Sequence, residues 1–160
     1  WGTALLVLRY ASEAEVSRER SLAMAITHDI VEVRVGDIPR RVDPAVVRVS
    51  PEEKHRLEER AATQLSATLQ WPELLSLWEE YEEGSTPEAR FVREMNLIDM
   101  VLQATLYSEE RRWDGEEGRE HFPTFDGLDE FFETSRPRVV TPLGRRLFET
   151  IEQRYRAGRS

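Results

Sequence analysis

The stretch that decides the fold class of this chain combines one histidine with three acids in thirteen residues. It reads Thr27-His28-Asp29-Ile30-Val31-Glu32-Val33-Arg34-Val35-Gly36-Asp37-Ile38-Pro39. His28 and Glu32 stand four residues apart, so on a helix their side chains share a face. Asp37 follows a glycine and precedes Ile38-Pro39, where a helix is expected to end. We therefore predict a helix that carries His28, Asp29 and Glu32, and a turn that folds Asp37 back over the same site.

The His28-Asp29 pair allows two interpretations. A histidine on a semi-apolar helix is more often a core or surface residue than a ligand. Imidazole and carboxylate groups are, however, the usual protein ligands of a hydrolytic metal ion. The helix around the pair is largely apolar, and carboxylates buried in such a place need a cation. A metal ion would meet that need, and Arg34 could meet part of it.

The composition limits the classes of function. The chain has 160 residues, of which 39% are hydrophobic and 33% are charged, and its net charge is −9. This length predicts a single domain with one sizeable core, and no apolar run is long enough to span a membrane. The acidic balance argues against a nucleic-acid polymer as partner, but a bound metal could still attract a small phosphorylated ligand. Because the chain has no cysteine, disulfides and thiol chemistry are excluded, which fits a cytoplasmic location.

The hydrophobic periodicity predicts an all-α protein. Ser50 and Glu53 have the spacing of a capping box, as do Ser85 and Glu88, and Thr141 precedes a proline that begins the last helix. The predicted helices cover about 1–10, 18–34, 51–69, 72–83, 87–107 and 142–155. The first of them begins as if in mid-helix, so we expect the N-terminal helix to be incomplete in this chain.

Several other side chains receive structural interpretations. The acid run over 79–83 is expected to be a solvated helix face, and the aromatic residues at helical spacing are expected to form core. His55 is expected to lie on the surface, whereas His121 is an outside candidate for a ligand.

Two segments together resemble the HD-domain phosphohydrolases, and within them the 5′-deoxynucleotidase-like branch. The first is the pattern His28-Asp29, Glu32 and Gly36-Asp37-Ile38-Pro39. The second is Leu77-Trp78-Glu79-Glu80-Tyr81-Glu82-Glu83-Gly84-Ser85-Thr86-Pro87-Glu88-Ala89-Arg90-Phe91-Val92-Arg93. The similarity runs over about residues 1–107.

The resemblance implies a helical HD-domain bundle over 1–160 that holds one divalent metal ion, which could be Mn, Co, Fe, Zn or Mg. His28 and Asp29 correspond to the metal-binding pair of the family. Glu32 corresponds to the glutamate beside the attacking water, and Asp37 to the acid near the substrate phosphate and the leaving oxygen. Glu32 and Asp37 are therefore the expected catalytic residues, and a homodimer is expected because dimers are common in the family.

The chain departs from the family pattern at two of the metal ligands. The first metal-binding histidine of the family would stand ahead of Trp1. The last ligand, usually an aspartate, falls on Asn96, whose amide oxygen can coordinate a metal but brings no charge. Asn96 could be a natural ligand, the sign of a degenerate site or an engineered weakening of the site, and Asp99 could replace it after a shift.

The function that this resemblance implies is metal-dependent removal of phosphate from nucleoside 5′-monophosphates, with deoxynucleoside monophosphates as the expected substrates, or from a similar small phosphomonoester. A catalytically impaired HD-domain protein that binds a nucleotide or a protein partner is the alternative. A third hypothesis is a structural helical domain within a larger chain.

Overall fold

Helices form the regular secondary structure of the computed structural model, which describes residues 1–42, 47–112, 125 and 127–159. A 3₁₀ turn, Arg136–Arg138, precedes the last helix. The prediction of an all-α protein is confirmed. The α-helices are Gly2–Tyr10 (α1), Arg18–Thr27 (α2), Glu32–Val35 (α3), Pro51–Leu69 (α4), Pro72–Glu83 (α5), Pro87–Glu109 (α6), Asp129–Ser135 (α7) and Pro142–Ala157 (α8).

These helices belong to two compact units. The first consists of the described residues within Trp1–Arg40 and Val46–Arg93, and the second of those within Arg41–Ala45 and Glu94–Ser160. The division falls inside α6, after Arg93. That one HD domain covers residues 1–160 stays a prediction.

The first unit is built around α2, α4 and α5. Helix α2 packs on α1 and α5, and α4 packs on α5 and on the short helix α3. Val31 lies in a buried cluster with Ala61, Ala62 and Trp78, against which Val35 also packs. Full burial of one such apolar side chain stabilises a fold by about 1.5–3 kcal/mol. This cluster therefore holds the segment that carries the predicted site against α4.

Most helix ends follow the signals in the sequence. The hydroxyl of Ser50 accepts a hydrogen bond from the Glu53 amide at 3.1 Å, and that of Thr141 accepts one from the Gly144 amide at 3.0 Å. Gly84 ends α5 with a φ of 61°, a left-handed conformation that glycine adopts without strain. The predicted starts at Ser50 and Thr141 and the predicted end of the helix over 72–83 are confirmed, because cap chemistry is local.

The start of α6 differs from the prediction. Thr86, not Ser85, caps the helix, since its hydroxyl accepts a hydrogen bond from the Ala89 amide at 3.1 Å. The same hydroxyl donates to Glu80 at 2.6 Å, and the Glu88 carboxylate accepts from a backbone amide at 3.0 Å. The Glu88 carboxylate therefore binds the amide of Ser17, outside the helix, and does not complete a capping box with Ser85.

The acid run over 79–83 is only partly the solvated face that was predicted. Glu79 is exposed, but Glu80 is only 8% exposed. The Arg20 guanidinium donates to both Glu80 carboxylate oxygens, through Nε at 3.2 Å and through Nη2. These hydrogen bonds, aided by the one from Thr86, hold the pKa of Glu80 below its ordinary value. The prediction is wrong at Glu80 because the arginine that pairs with it lies on α2, 60 residues earlier in the chain.

In the second unit a buried carboxylate lies against the first residues of α8. Glu94 is 4% exposed and accepts hydrogen bonds from the Val140 amide at 2.7 Å and the Thr141 amide at 2.9 Å. A β-carbon added at Gly144 would clash with this carboxyl group. Negative charge near a helix N-terminus is stabilising, and only a glycine leaves room for it here.

Aromatic side chains form much of the core of this unit, as predicted. The Phe132 ring lies 4.5 Å from the Tyr155 ring, stacked, and 5.9 Å from the Phe148 ring, edge to face. In the first unit, Trp1 does not form core as the aromatic residues were expected to do, because it is fully exposed. The predicted candidate ligand His121 lies outside the described residues.

Replacement of Glu80 by glutamine should destabilise the protein by about 1–3 kcal/mol at pH 7, because it removes a charge-assisted pair from a buried position. The pKa of Glu80 is lowered in the folded state, so its stabilisation is present above the unfolded value near 4.5 and is lost as the pH falls through the folded value. Urea unfolding should therefore show a difference between Glu80→Gln and the parent that shrinks below about pH 4. The exposed neighbour supplies the control, Glu79→Gln, and equal effects of the two variants would contradict this account.

Candidate functional site

The predicted metal pair lies in a tight turn rather than within a continuous helix. Helix α2 ends at Thr27, whose hydroxyl donates to the Ala23 carbonyl at 2.8 Å. The Glu32 amide bonds back to the Asp29 carbonyl at 3.0 Å, three residues earlier. Such 3₁₀-type spacing aligns residues three apart, so Asp29 and Glu32 share a face. The predicted helix over 18–34 is wrong at this point, because the Thr27 hydroxyl and the β-branched residues after it weaken the α-helix.

His28 has a close contact at each of its ring nitrogens. Nδ1 lies 3.0 Å from the Ala25 carbonyl oxygen, and Nε2 lies 2.9 Å from the Asp29 carboxylate. The ring also packs against Tyr81, with 5.3 Å between the ring centroids. The His28 side chain is 9% exposed, whereas that of Asp29 is 57% exposed. The imidazole is therefore fixed, and the carboxylate beside it faces solvent.

The donor chemistry of this pair fits a metal ion. A carbonyl only accepts hydrogen bonds, so Nδ1 carries the proton of a neutral imidazole and Nε2 presents a lone pair. That lone pair and the Asp29 carboxylate would repel each other unless a second proton or a cation lies beside them. Histidines that bind metals characteristically donate their other ring N–H to a carbonyl or carboxylate, as His28 does to Ala25.

Glu32 and Asp37 complete an acidic group with Asp29. Burial, together with the charges of Asp29 and then Asp37, raises the pKa of Glu32 to about 7, while Lys54 and His28 act in the opposite direction. Glu32 begins α3, and the helix ends at Gly36, whose φ is 73°. The Gly36 amide bonds to the Glu32 carbonyl at 2.8 Å. The turn predicted before Asp37 is therefore present, and Asp37 itself is exposed.

Two residues at the site were not predicted from the sequence. Lys54 of α4 donates from Nζ to the Ile38 carbonyl at 2.7 Å, and it lies 3.5 Å from the carboxylate of Glu58. Glu58 is buried, and burial raises its pKa while Lys54 opposes that shift. The one available signal was that Lys54 is the only lysine of the chain.

The other candidate residues lie on α6 and α4, outside the segment that carries His28 and Asp29. Asn96 and Asp99 are half-buried on α6, in the second unit, and the role of Asn96 as a ligand stays a prediction. His55 is exposed, as predicted, although its ring stacks on Trp78 with 5.9 Å between centroids. Among the described residues, no three His, Asp or Glu side chains converge to hold a metal. His28 and Asp29 thus supply two donors, whereas catalytic zinc sites commonly have three protein ligands.

No helix in the described ranges combines the length and apolar character needed to cross a membrane.

Residues 1–125 match a family model described as "HD domain". That match covers more than half of the chain and includes all of the site segment. The chain belongs to the HD-domain family. Phosphohydrolases of this family generally depend on a divalent metal ion, in agreement with the donor chemistry of the His28-Asp29 pair.

Several relatives are named 5′-deoxynucleotidases. The chain is 34% identical to 5′-deoxynucleotidase HDDC2 of Danio rerio over 86% of its own length and 72% of the relative's. It is 36% identical to 5′-deoxynucleotidase hdd1 of Schizosaccharomyces pombe, over 69% of this chain and 56% of that protein. It is 41% identical to HDDC2 of Bos taurus, over 61% and 46% respectively. The chain thus spans only about half the length of the last two relatives.

A solved structure has the same fold. The PH0347 protein of Pyrococcus horikoshii OT3 superposes with a TM-score of 0.63 at 28% sequence identity, over 97% of this chain and 79% of that one. This likeness extends over almost the whole chain, beyond the residues that the family model matches.

Removal of divalent metal with a chelator should lower the melting temperature of the protein, and addition of Mn or Co should restore it. Saturation at a hundred times the dissociation constant stabilises a fold by about 2.7 kcal/mol. The variant His28→Ala should lose both the bound metal and the metal-dependent rise in melting temperature. His55→Ala, which replaces an exposed histidine, is the matched control and should keep both. A full metal-dependent rise in His28→Ala would contradict the assignment of His28 as a ligand.

Proposed function

We propose that this chain is a divalent-metal-dependent phosphohydrolase that removes phosphate from nucleoside 5′-monophosphates, preferentially from deoxynucleotides. The contact of His28 Nε2 with the Asp29 carboxylate at 2.9 Å, beside the acid Glu32, is the observation that carries the proposal. The names of the three relatives above favour deoxynucleotides as substrates.

His28 and Asp29 are the residues of the described site that would hold the ion, and the resemblance adds Asn96 as a third proposed ligand. When bound, a divalent ion neutralises phosphoryl charge and makes water a better nucleophile. His28 contributes a ring whose orientation is set before the metal arrives, because Ala25 and Tyr81 hold it on two sides. Asp29 contributes the charge that the neutral amide of Asn96 does not bring.

Glu32 is the proposed proton acceptor of the reaction. A pKa near 7 suits a group that must gain and lose a proton at neutral pH, although a bound cation would lower that value. The oxygen of water forms a bond to phosphorus, and the proton that it loses passes to Glu32. The bond from phosphorus to the 5′-oxygen breaks, and that oxygen leaves with a proton, for which Asp37 is the proposed donor.

The alternative is an HD-domain protein that binds a nucleotide or a protein partner without turnover. Asn96 favours it, because the amide supplies no negative charge where the family resemblance expects an aspartate. The identity of the metal, a homodimer and a cytoplasmic location also stay predictions.

The test of the proposed function is phosphate release from matched pairs of ribonucleoside and deoxyribonucleoside 5′-monophosphates. The protein is first treated with chelator, and Mn, Co or Mg is then added. Metal-dependent release that is faster for the deoxynucleotides supports the proposal. Absence of release with every metal, from a folded protein that a nucleotide still stabilises against heat, would select the alternative.

The same assay tests the role of Glu32. Glu32→Gln should lower kcat by about a hundredfold or more, because it removes the proton acceptor, and it should leave bound metal unchanged. The exposed Glu59 on α4 supplies the control variant Glu59→Gln, which should keep full activity. An active Glu32→Gln variant would remove Glu32 from the mechanism.

Replacement of Asn96 by aspartate should tighten metal binding, since a charged ligand replaces a neutral one. Isothermal titration calorimetry of the metal-free protein with Mn measures the change in metal affinity. Asn96→Ala serves as the comparison, and it should bind metal more weakly than the parent. Equal affinities of all three proteins would show that residue 96 does not contact the metal.

A further inference from the structure

Lys54 occupies a position that no part of the proposed mechanism uses. It is the only lysine among the 22 lysine and arginine residues of the chain, and its side chain is about one third exposed. Nζ donates to the Ile38 carbonyl at 2.7 Å and approaches the buried carboxylate of Glu58 to 3.5 Å. An ammonium is a compact point charge with three donors, so it can bind a carbonyl and a carboxylate together.

The carbonyl that Lys54 binds belongs to the residue that follows Asp37. On the other side of Asp37, the Gly36 amide is bonded to the Glu32 carbonyl. Asp37 is therefore held between two backbone anchors, one from α3 and one from α4. Its side chain is exposed, so packing contributes little to its position and the two anchors must define it.

The same ammonium lies near the proposed proton acceptor. The charge of Lys54 acts on Glu32 in opposition to the charges of Asp29 and Asp37. Helix α3 packs on α4 through Val35 and the cluster around Val31. This apolar contact holds α3 beside the helix that carries Lys54.

We propose that Lys54 is a positioning residue of the active site, which holds the Ile38 carbonyl and thereby sets Asp37 in relation to Glu32. This inference rests on the proposed function, because it needs Asp37 and Glu32 to take part in the reaction. Lys54 acts through Asp37 and is not itself a proton donor or a ligand.

The first test measures hydrogen exchange in the metal-free protein and needs no activity. Lys54→Met keeps most of the side-chain length but removes the ammonium, so amides in residues 36–40 should exchange faster. Lys54→Arg keeps a charged donor and should restore part of the protection. Arg56→Met is the matched control, since Arg56 lies on the same helix and pairs with Glu53 in an exposed position. Exchange in residues 36–40 that is the same in Lys54→Met and the parent would overturn the proposal.

The second test separates positioning from general stability by kinetics. Lys54→Met should lower kcat by about tenfold or more while KM changes by less than about threefold, and Lys54→Arg should recover part of the loss. In an Asp37→Asn background the same Lys54→Met change should cost less than about twofold, because its effect passes through Asp37. A loss of the same size in both backgrounds, or no loss in the parent, would overturn the inference.

The two tests also distinguish failure of this inference from failure of the proposed function. If the parent protein releases no phosphate with any metal, the proposed function is wrong, and the exchange of residues 36–40 alone decides whether Lys54 holds this segment. If the parent is active and Lys54→Met behaves like the parent in both tests, the proposed function stands and the role of Lys54 is refuted.

Discussion

The candidate site depends on the apolar contact that holds residues 28–35 against α4 and α5. Val31 lies in one buried cluster with two alanines of α4 and Trp78 of α5, and Ile30 and Val35 pack against that cluster. The apolar side chains of the segment that join the cluster are Ile30, Val31 and Val35, whereas Val33 is exposed. The helical part of the segment is too short to be stable on its own, so this packing is what positions His28, Asp29 and Glu32.

Buried carboxylates form a second constraint on the fold, because each needs partners that compensate its loss of water. The partners differ from one carboxylate to the next. Glu80 pairs with an arginine and a threonine hydroxyl, and Glu94 binds backbone amides at the start of α8. Glu58 lies beside the ammonium of Lys54, which opposes the rise that burial causes in its pKa. The charge of Lys54 also acts on Glu32 of the site.

The site itself combines rigidity with an excess of negative charge. His28 is fixed before any ligand arrives, whereas Asp29 and Asp37 face solvent and Glu32 is half-buried. Burial, together with the charges of Asp29 and Asp37, raises the pKa of Glu32 to about 7. A divalent cation held by His28 and Asp29 would offset this negative charge. Membership of the HD-domain family agrees with this physical demand for a cation.

The sequence by itself determined the helical class, most helix ends and the residue types of the site. Caps such as Ser50, Gly84 and Thr141 were predictable because their partners lie within four residues, and the resemblance to HD-domain proteins rested on short contiguous patterns. Only the tertiary structure decided the tight turn after Thr27, the burial of Glu80 and the bond from Lys54 to Ile38. The partners in the last two cases lie 60 and 16 residues away in the chain. The charge and spacing of residues along a helix do not reveal such partners, because burial is a property of the packed fold.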